Sequence, residues 1–210
     1  MSIDLYLDIP PPPPPPASPA CTNHVHADAS NFANGVTKEE AYEQVLMQAE
    51  GLLDGQRNWV RLPNLANTAS LLWHAYHSLP APSNAVNWAG FYVLDPSSTK
   101  QSLILGPFMG KVACQQIPFG RGVCGAAAAT RQTQLVADVD AFPGHIACDG
   151  DSKSEVVVPI VIKGDKEGGK EEEKLVAIID VDCAEKNGFD EVDRVWLERL
   201  AELLAGGCDW

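Results

Sequence analysis

The sequence predicts an α+β domain in which an antiparallel sheet is flanked by helices. Two apolar-periodic helical segments open the folded region and a third closes it. Between them lie aromatic and β-branched runs with the two-residue alternation of strands. The resulting order is helix, helix, strands, short helix, strands, helix.

The elements follow one after another. Residues 1–36 form an extension, set apart by seven consecutive prolines at 10–16. That run makes a polyproline II rod without backbone donors. The polar stretch 21–35 continues it, and His24 and His26 read as solvated tail residues rather than metal ligands. The folded domain spans 37–210. Thr37 with Glu40 makes a capping box, followed by Ala41, Val45, Ala49 and Leu52 at helical spacing, with Gly55 as a stop. A second helix covers about 65–78, with Leu65, Ala69, Leu72, Trp73 and Tyr76 on its apolar face, and Pro80 and Pro82 beyond it. Residues 85–94 alternate as a strand: Trp88, Gly90 and Tyr92 share one face, Phe91 and Val93 the other. A turn at 95–98 leads to a partner strand at 102–108 and a third strand at 111–117. Residues 122–130 are small and alanine-rich, which suits a short helix packed closely on the sheet. A short strand at 134–136 and a loop at 138–153 come next. The β-branched strand 155–163 returns as 175–183, joined by a charged hairpin insertion at 164–174. A closing helix at 190–205 presents Val192, Val195, Trp196, Leu200, Leu203 and Leu204, with Gly206 and Gly207 as its stop.

Composition narrows the function classes. Apolar residues make up 45% of the 210, enough for a sizeable core, and the formal net charge is −13. Such a surface repels phosphate backbones and anionic membranes, which argues against nucleic-acid and membrane partners. Local carboxylates can still capture an ammonium group. The six cysteines are too sparse for a stapled secreted fold. The first residues lack a basic n-region, and no stretch reaches the length of a membrane span. The expected compartment is the cytoplasm, where disulfides are usually transient and catalytic.

Three cysteines carry the chemical signal. Cys114, Cys124 and Cys148 fall within 35 residues, with none of the CxxC spacing that usually binds zinc. No metal site is therefore expected. Cys148 lies in a polar loop, where a scaffold commonly holds reactive groups, although its acidic neighbours raise a thiol pKa. Cys124 falls in the first turn of the short helix, beside Arg121, where helix dipole and guanidinium lower a thiol pKa. It reads equally as a small residue where helix and sheet approach. Cys114 falls mid-strand, where a core cysteine is the plainer reading. Asp180 and Asp182 share one strand face, a costly arrangement unless a cation joins them or one stays protonated. Glu155 opens its strand either as an exposed start or as a site residue.

Five blocks then coincide: Asn87-Trp88-Ala89-Gly90-Phe91-Tyr92, Leu105-Gly106-Pro107-Phe108, residues 117–125 ending Val123-Cys124-Gly125, residues 138–149 ending His145-Ile146-Ala147-Cys148-Asp149, and residues 154–160 from Ser154-Glu155. Together they resemble the free methionine-(R)-sulfoxide reductases, which are single GAF domains. The resemblance implies six antiparallel strands with helices on both faces and a homodimer. It implies reduction of free methionine-(R)-sulfoxide with no cofactor beyond an external thioredoxin/NADPH system. By motif, Cys148 looks like the attacking thiol, Cys114 like the resolving thiol and Cys124 like the third motif cysteine, an exchange of roles with Cys148 staying open. Glu155, Asp180 and Asp182 match the substrate-binding carboxylates. Trp88 and Tyr92 match the aromatic holders of the S-methyl group. Two other readings compete: a non-catalytic GAF ligand sensor, and a redox switch signalling through the proline tail.

Overall fold

The computed structural model describes residues 32, 35–54, 61–99, 101–144, 150–164 and 173–210. Most of the proline-rich extension, the tip of the charged hairpin and Gly55 lie outside the described residues.

The chain enters through α1 (Lys38–Leu53). Thr37 caps it: the Thr37 side chain accepts from the Glu40 backbone, and Glu40 accepts from the Thr37 N–H. This reciprocal box satisfies two donors that a helix start leaves bare. Its inward residues include Ala41, Val45, Ala49 and Leu53. The second helix, α2 (Arg61–Ser78), begins four residues before the predicted 65. Pro63 causes no conflict there, because the first turn needs no donor from it.

Six strands follow the predicted sequence: β1 (Val86–Leu94), β2 (Ser102–Gly110), β3 (Gln116–Pro118), β4 (Gln134–Val136), β5 (Ser154–Lys163) and β6 (Glu173–Cys183). They form one sheet in the order β3-β2-β1-β6-β5-β4, and every neighbouring pair is antiparallel. Helix α3 (Gly122–Thr130) lies between β3 and β4 in the chain, and α4 (Glu191–Gly207) closes it.

Two predicted details change. The third strand shrinks from 111–117 to three residues, so Cys114 sits in the coil before it and is half-buried. The cause is local: Gly110 ends β2 with φ +125°, and the chain turns out of the ladder before rejoining it. The closing helix keeps Leu200 and Leu204 of its predicted face buried and Trp196 and Leu203 packed on the core, but turns Val195 outward. Leu197, Leu200, Ala201 and Leu204 are buried, while Val195 is exposed. Gly206 and Gly207 stay within or at the last helical turn, and Cys208 takes the extended cap.

The sheet separates two apolar clusters. Helices α1, α2 and α4 cover one face, packing Tyr42, Leu65, Leu72, Leu197 and Leu200 against Ala89, Phe91, Val156, Val158 and Ile179. Helix α3 covers the other, where Val123, Cys124 and Ala127 meet Trp88, Tyr92, Val157 and Ile178. Strand alternation sends each side chain to its cluster.

A buried polar clamp ties the three helices of the first layer. Asp193, fully buried, accepts from the hydroxyls of Tyr42 (2.8 Å) and Tyr76 (3.0 Å) through Oδ1. Its Oδ2 accepts from Lys38 Nζ (2.6 Å) and the Asp190 N–H (2.7 Å). The two tyrosine hydroxyl oxygens also lie within hydrogen-bond distance of each other, so the hydroxyl protons are shared among three close oxygens. A buried carboxylate costs several kcal/mol unless it is so matched, and here all its partners come from the packed helices or the α4 cap.

Candidate active site

The second face of the sheet carries the chemistry. Antiparallel register aligns Trp88 with Asp182, Gly90 with Asp180, and Glu155 with Asp182. Trp88, Gly90 and Tyr92 of β1 therefore share a face with Asp180 and Asp182 of β6 and with Glu155 of β5. Helix α3 lowers Cys124 onto that face from above.

The result is a buried acid cluster. One ligand atom each from Cys124, Glu155 and Asp180 lies within 4.8 Å of the other two, and all three residues are buried. The Cys124 thiol donates to Glu155 Oε1 at 3.5 Å. Asp180 Oδ1 and Trp88 Nε1 are buried without a hydrogen-bond partner among the described residues.

Electrostatics follow from this crowding. Burial pushes the Asp180 carboxyl up to about 7, against the pull of bonds from Cys124 and Glu155. Burial, then the charges of Asp180 and Asp182, push Glu155 well above the carboxylate range. Burial, then Asp180, Glu155 and Asp182, push the Cys124 thiol well up. This reverses the sequence expectation for Cys124. The helix start and Arg121 were to lower its pKa, but Arg121 is exposed and the thiol faces acids instead. Two buried carboxyls this close retain a proton between them at neutral pH.

An aromatic stack borders the cluster. Trp88 stacks on Tyr92 (centroids 5.7 Å apart) and on Phe108 (5.2 Å). Gly90 makes this possible. A Cβ there would stand 2.7 Å from Phe108 Cα and 2.8 Å from the Pro107 carbonyl oxygen. A small cavity lies alongside, lined by Trp88, Tyr92, Lys111, Val112, Ala113, Asp180 and Asp182. Its interior has about 20 Å³ for the centre of a water-sized sphere, roughly one water. Lys111, which borders it, pairs with Asp151 at 2.6 Å.

The loop that roofs the cavity leads straight to Cys114, which is disulfide-bonded. Cys124, Cys183 and Cys208 are free thiols. Cys148 lies outside the described residues. The fold thus brings Cys124, Glu155, Asp180, Asp182, Trp88 and Tyr92 to one face, with Cys114 just past the cavity rim. Sequence reasoning passed over Lys111, Val112 and Ala113 as lining residues and Phe108 as a member of the aromatic stack. Phe108 had a signal, its place in the Leu105–Phe108 block; Val112 had none, since its 90% exposure comes from the loop that replaces the expected strand.

A larger surface cleft, about 680 Å³, lies between α4 and the free part of β5, lined by Arg131, Arg194, Glu198 and Glu202 among others. It shares no residue with the acid cluster, and its lining includes no cysteine.

A one-face acid–thiol cluster beneath a GAF-type six-stranded sheet defines the class: residues 37–206 match the GAF domain model. The chain belongs to the free methionine-R-sulfoxide reductase family of GAF proteins. It is 52% identical over 187 residues to the free methionine-R-sulfoxide reductase of Saccharomyces cerevisiae, covering 89% of this chain and 96% of that protein. A solved GAF domain structure aligns with TM-score 0.77 and 51% identity, covering 92% of this chain and all of the other. The free methionine-R-sulfoxide reductase of Neisseria meningitidis, solved with its substrate, aligns with TM-score 0.69 and 37% identity, covering 85% and 95%. Among the described residues no helix is long and apolar enough to cross a membrane.

Proposed function

We propose that this chain reduces free methionine-(R)-sulfoxide to methionine with its own thiols, Cys148 attacking and Cys114 resolving. The observation that carries the reading is the buried carboxyl pair, Glu155 and Asp180, with Asp180 lining an aromatic-walled cavity one loop away from Cys114. A sulfoxide is a poor electrophile until its oxygen takes a proton or a strong hydrogen bond. A buried carboxyl held up to about 7 is suited to give one at neutral pH.

The Cys148 thiolate attacks the sulfoxide sulfur while the carboxyl pair protonates the oxygen. The substrate S–O bond and the transient S–S bond then break, the oxygen passes to Cys148 Sγ as a sulfenic acid, and methionine leaves with its sulfur lone pair restored. Cys114 then condenses with it, releasing water and forming a Cys114–Cys148 disulfide. The disulfide bond of Cys114 in the structure fits that oxidised form. A thioredoxin dithiol, recharged from NADPH, returns both thiols by exchange. No prosthetic group enters this cycle. Cys124 suits a supporting role, because its raised pKa leaves little thiolate at neutral pH.

Trp88, Tyr92 and Phe108 provide an apolar wall for the S-methyl group. Asp182, at the cavity lining, is placed to pair with the substrate ammonium, a group that peptide-bound methionine lacks. Room for a single water is too little for a free amino acid. The 111–113 segment borders the cavity, and its lifting, with loss of the exposed Lys111–Asp151 pair, makes room for loading. We further propose a homodimer working in the cytoplasm.

The test is NADPH consumption with thioredoxin and its reductase, supplying each methionine sulfoxide epimer free and peptide-bound. Turnover of the free R epimer alone is expected. Turnover confined to the S epimer, or none, overturns the proposal. Cys148→Ser should abolish methionine release, whereas Cys114→Ser should release one equivalent and stall.

A further inference from the structure

We propose that Cys124, Glu155 and Asp180 form a binding site for a zinc-class divalent cation, which meets the cavity at Asp180. The geometry supports this directly. Zinc holds thiolate sulfur at about 2.3 Å and carboxylate oxygen at about 2.0 Å. At a tetrahedral angle those lengths place sulfur and oxygen about 3.5 Å apart. Cys124 Sγ and Glu155 Oε1 stand 3.5 Å apart. The Asp180 atom lies within 4.8 Å of both, so a small closing shift completes three corners.

A second observation points to a ligand. Asp180 is 95% buried, with relative exposure of 5%, and its Oδ1 has no hydrogen-bond partner among the described residues. An unpaired buried carboxyl oxygen is expensive, and a cation bound to Asp180 offsets that cost. The charges acting most on Cys124 and Glu155 are acids: one another, Asp180 and Asp182. The donor set also selects the ion. One soft sulfur with two carboxylates suits zinc, whereas magnesium and calcium prefer oxygen alone. The fourth corner faces the cavity bordered by Asp180, with space for about one water.

The absence of a CxxC pair misleads here, because the ligands come from α3, β5 and β6 and converge only in the fold. The consequence is regulatory: an ion at this position occupies the carboxyls proposed to protonate the substrate, so free zinc holds the protein inactive until it is withdrawn. The site itself stands on geometry alone, and only this consequence rests on the proposed substrate.

Cobalt(II) serves as the probe, because thiolate ligation gives it a sulfur-to-metal charge-transfer band. The full chain is used in its oxidised form with Cys21→Ser, which leaves the buried thiols of Cys124, Cys183 and Cys208 as the sulfur donors. One equivalent of cobalt should raise the band and one equivalent of zinc should abolish it. Cys124→Ser should lose the band, and Cys208→Ser should keep it. Glu155→Gln retains the thiol and should weaken cobalt binding roughly tenfold or more. No band in the parent protein, or a band untouched by both Cys124→Ser and Glu155→Gln, overturns the site. Free methionine-(R)-sulfoxide should raise the apparent cobalt Kd. An unchanged Kd with the band intact counts against the proposed substrate and leaves the ion site standing.

Discussion

Replacing Asp180 by asparagine removes a titrating group from the acid cluster at nearly constant size. In the folded chain burial lifts this carboxyl from 3.8 to about 7. Between those values the folded state holds a proton that the unfolded chain has released. Stability then falls as pH rises, and the group's contribution is complete below the unfolded pKa and lost by the folded one. A displacement of roughly three pKa units corresponds to about 4 kcal/mol. Glu155 shares the proton, so this figure belongs to the pair. The asparagine variant should therefore gain on the parent protein as pH rises from about 4 to about 8, by up to about 4 kcal/mol. Urea unfolding of both proteins across that range measures the difference, and comparing the two cancels the titration of distant groups. Turnover should move oppositely, falling roughly a hundredfold or more with the proton donor gone. A stability difference that stays flat with pH would mean Asp180 is already ionised in the fold, which would refute the proton-sharing argument.

Other perturbations probe separate parts of the molecule. Gly90→Ala drives a Cβ against the Pro107–Phe108 backbone and should cost about 1–3 kcal/mol. It should also raise KM by displacing Phe108 from Trp88; unchanged unfolding and KM together would show that β2 yields freely. Cys124→Ser should still release the first equivalent of methionine in single turnover, and loss of that equivalent would transfer the attacking role from Cys148 to Cys124. Tyr42→Phe removes one of the donors to Asp193 Oδ1 and should lower stability by about 1–3 kcal/mol. Activity per folded molecule should stay intact, because the clamp lies across the sheet from the site. A selective loss of turnover in that variant would contradict this separation.

Much of the architecture was legible residue by residue. The Thr37–Glu40 box marked the start of α1 because capping is local hydrogen-bond chemistry. Alternation along 86–94 assigned Trp88 and Tyr92 to one face and Phe91 to the other, and both clusters obey it. The same rule placed Asp180 beside Asp182. Local rules failed where the chain left a ladder. Residues 111–115 look strand-like, yet Gly110 turns them into a loop, which moves Cys114 from a core position to a cavity rim. Helix α4 was read with Val195 inside, because several of its faces carry apolar residues and only packing selects one.

The amino-acid sequence by itself determined which residues point the same way within each element, since periodicity is a property of the local backbone. It also marked which blocks belong to a known family. The tertiary structure alone decided that a thiol from α3, a carboxyl from β5 and another from β6 meet inside 4.8 Å. Strand order and register set that meeting, through hydrogen bonds between segments far apart in the chain. The same meeting inverts the protonation expected of Cys124, because a thiol's pKa answers to whatever packs against it in space, and here that is buried acid.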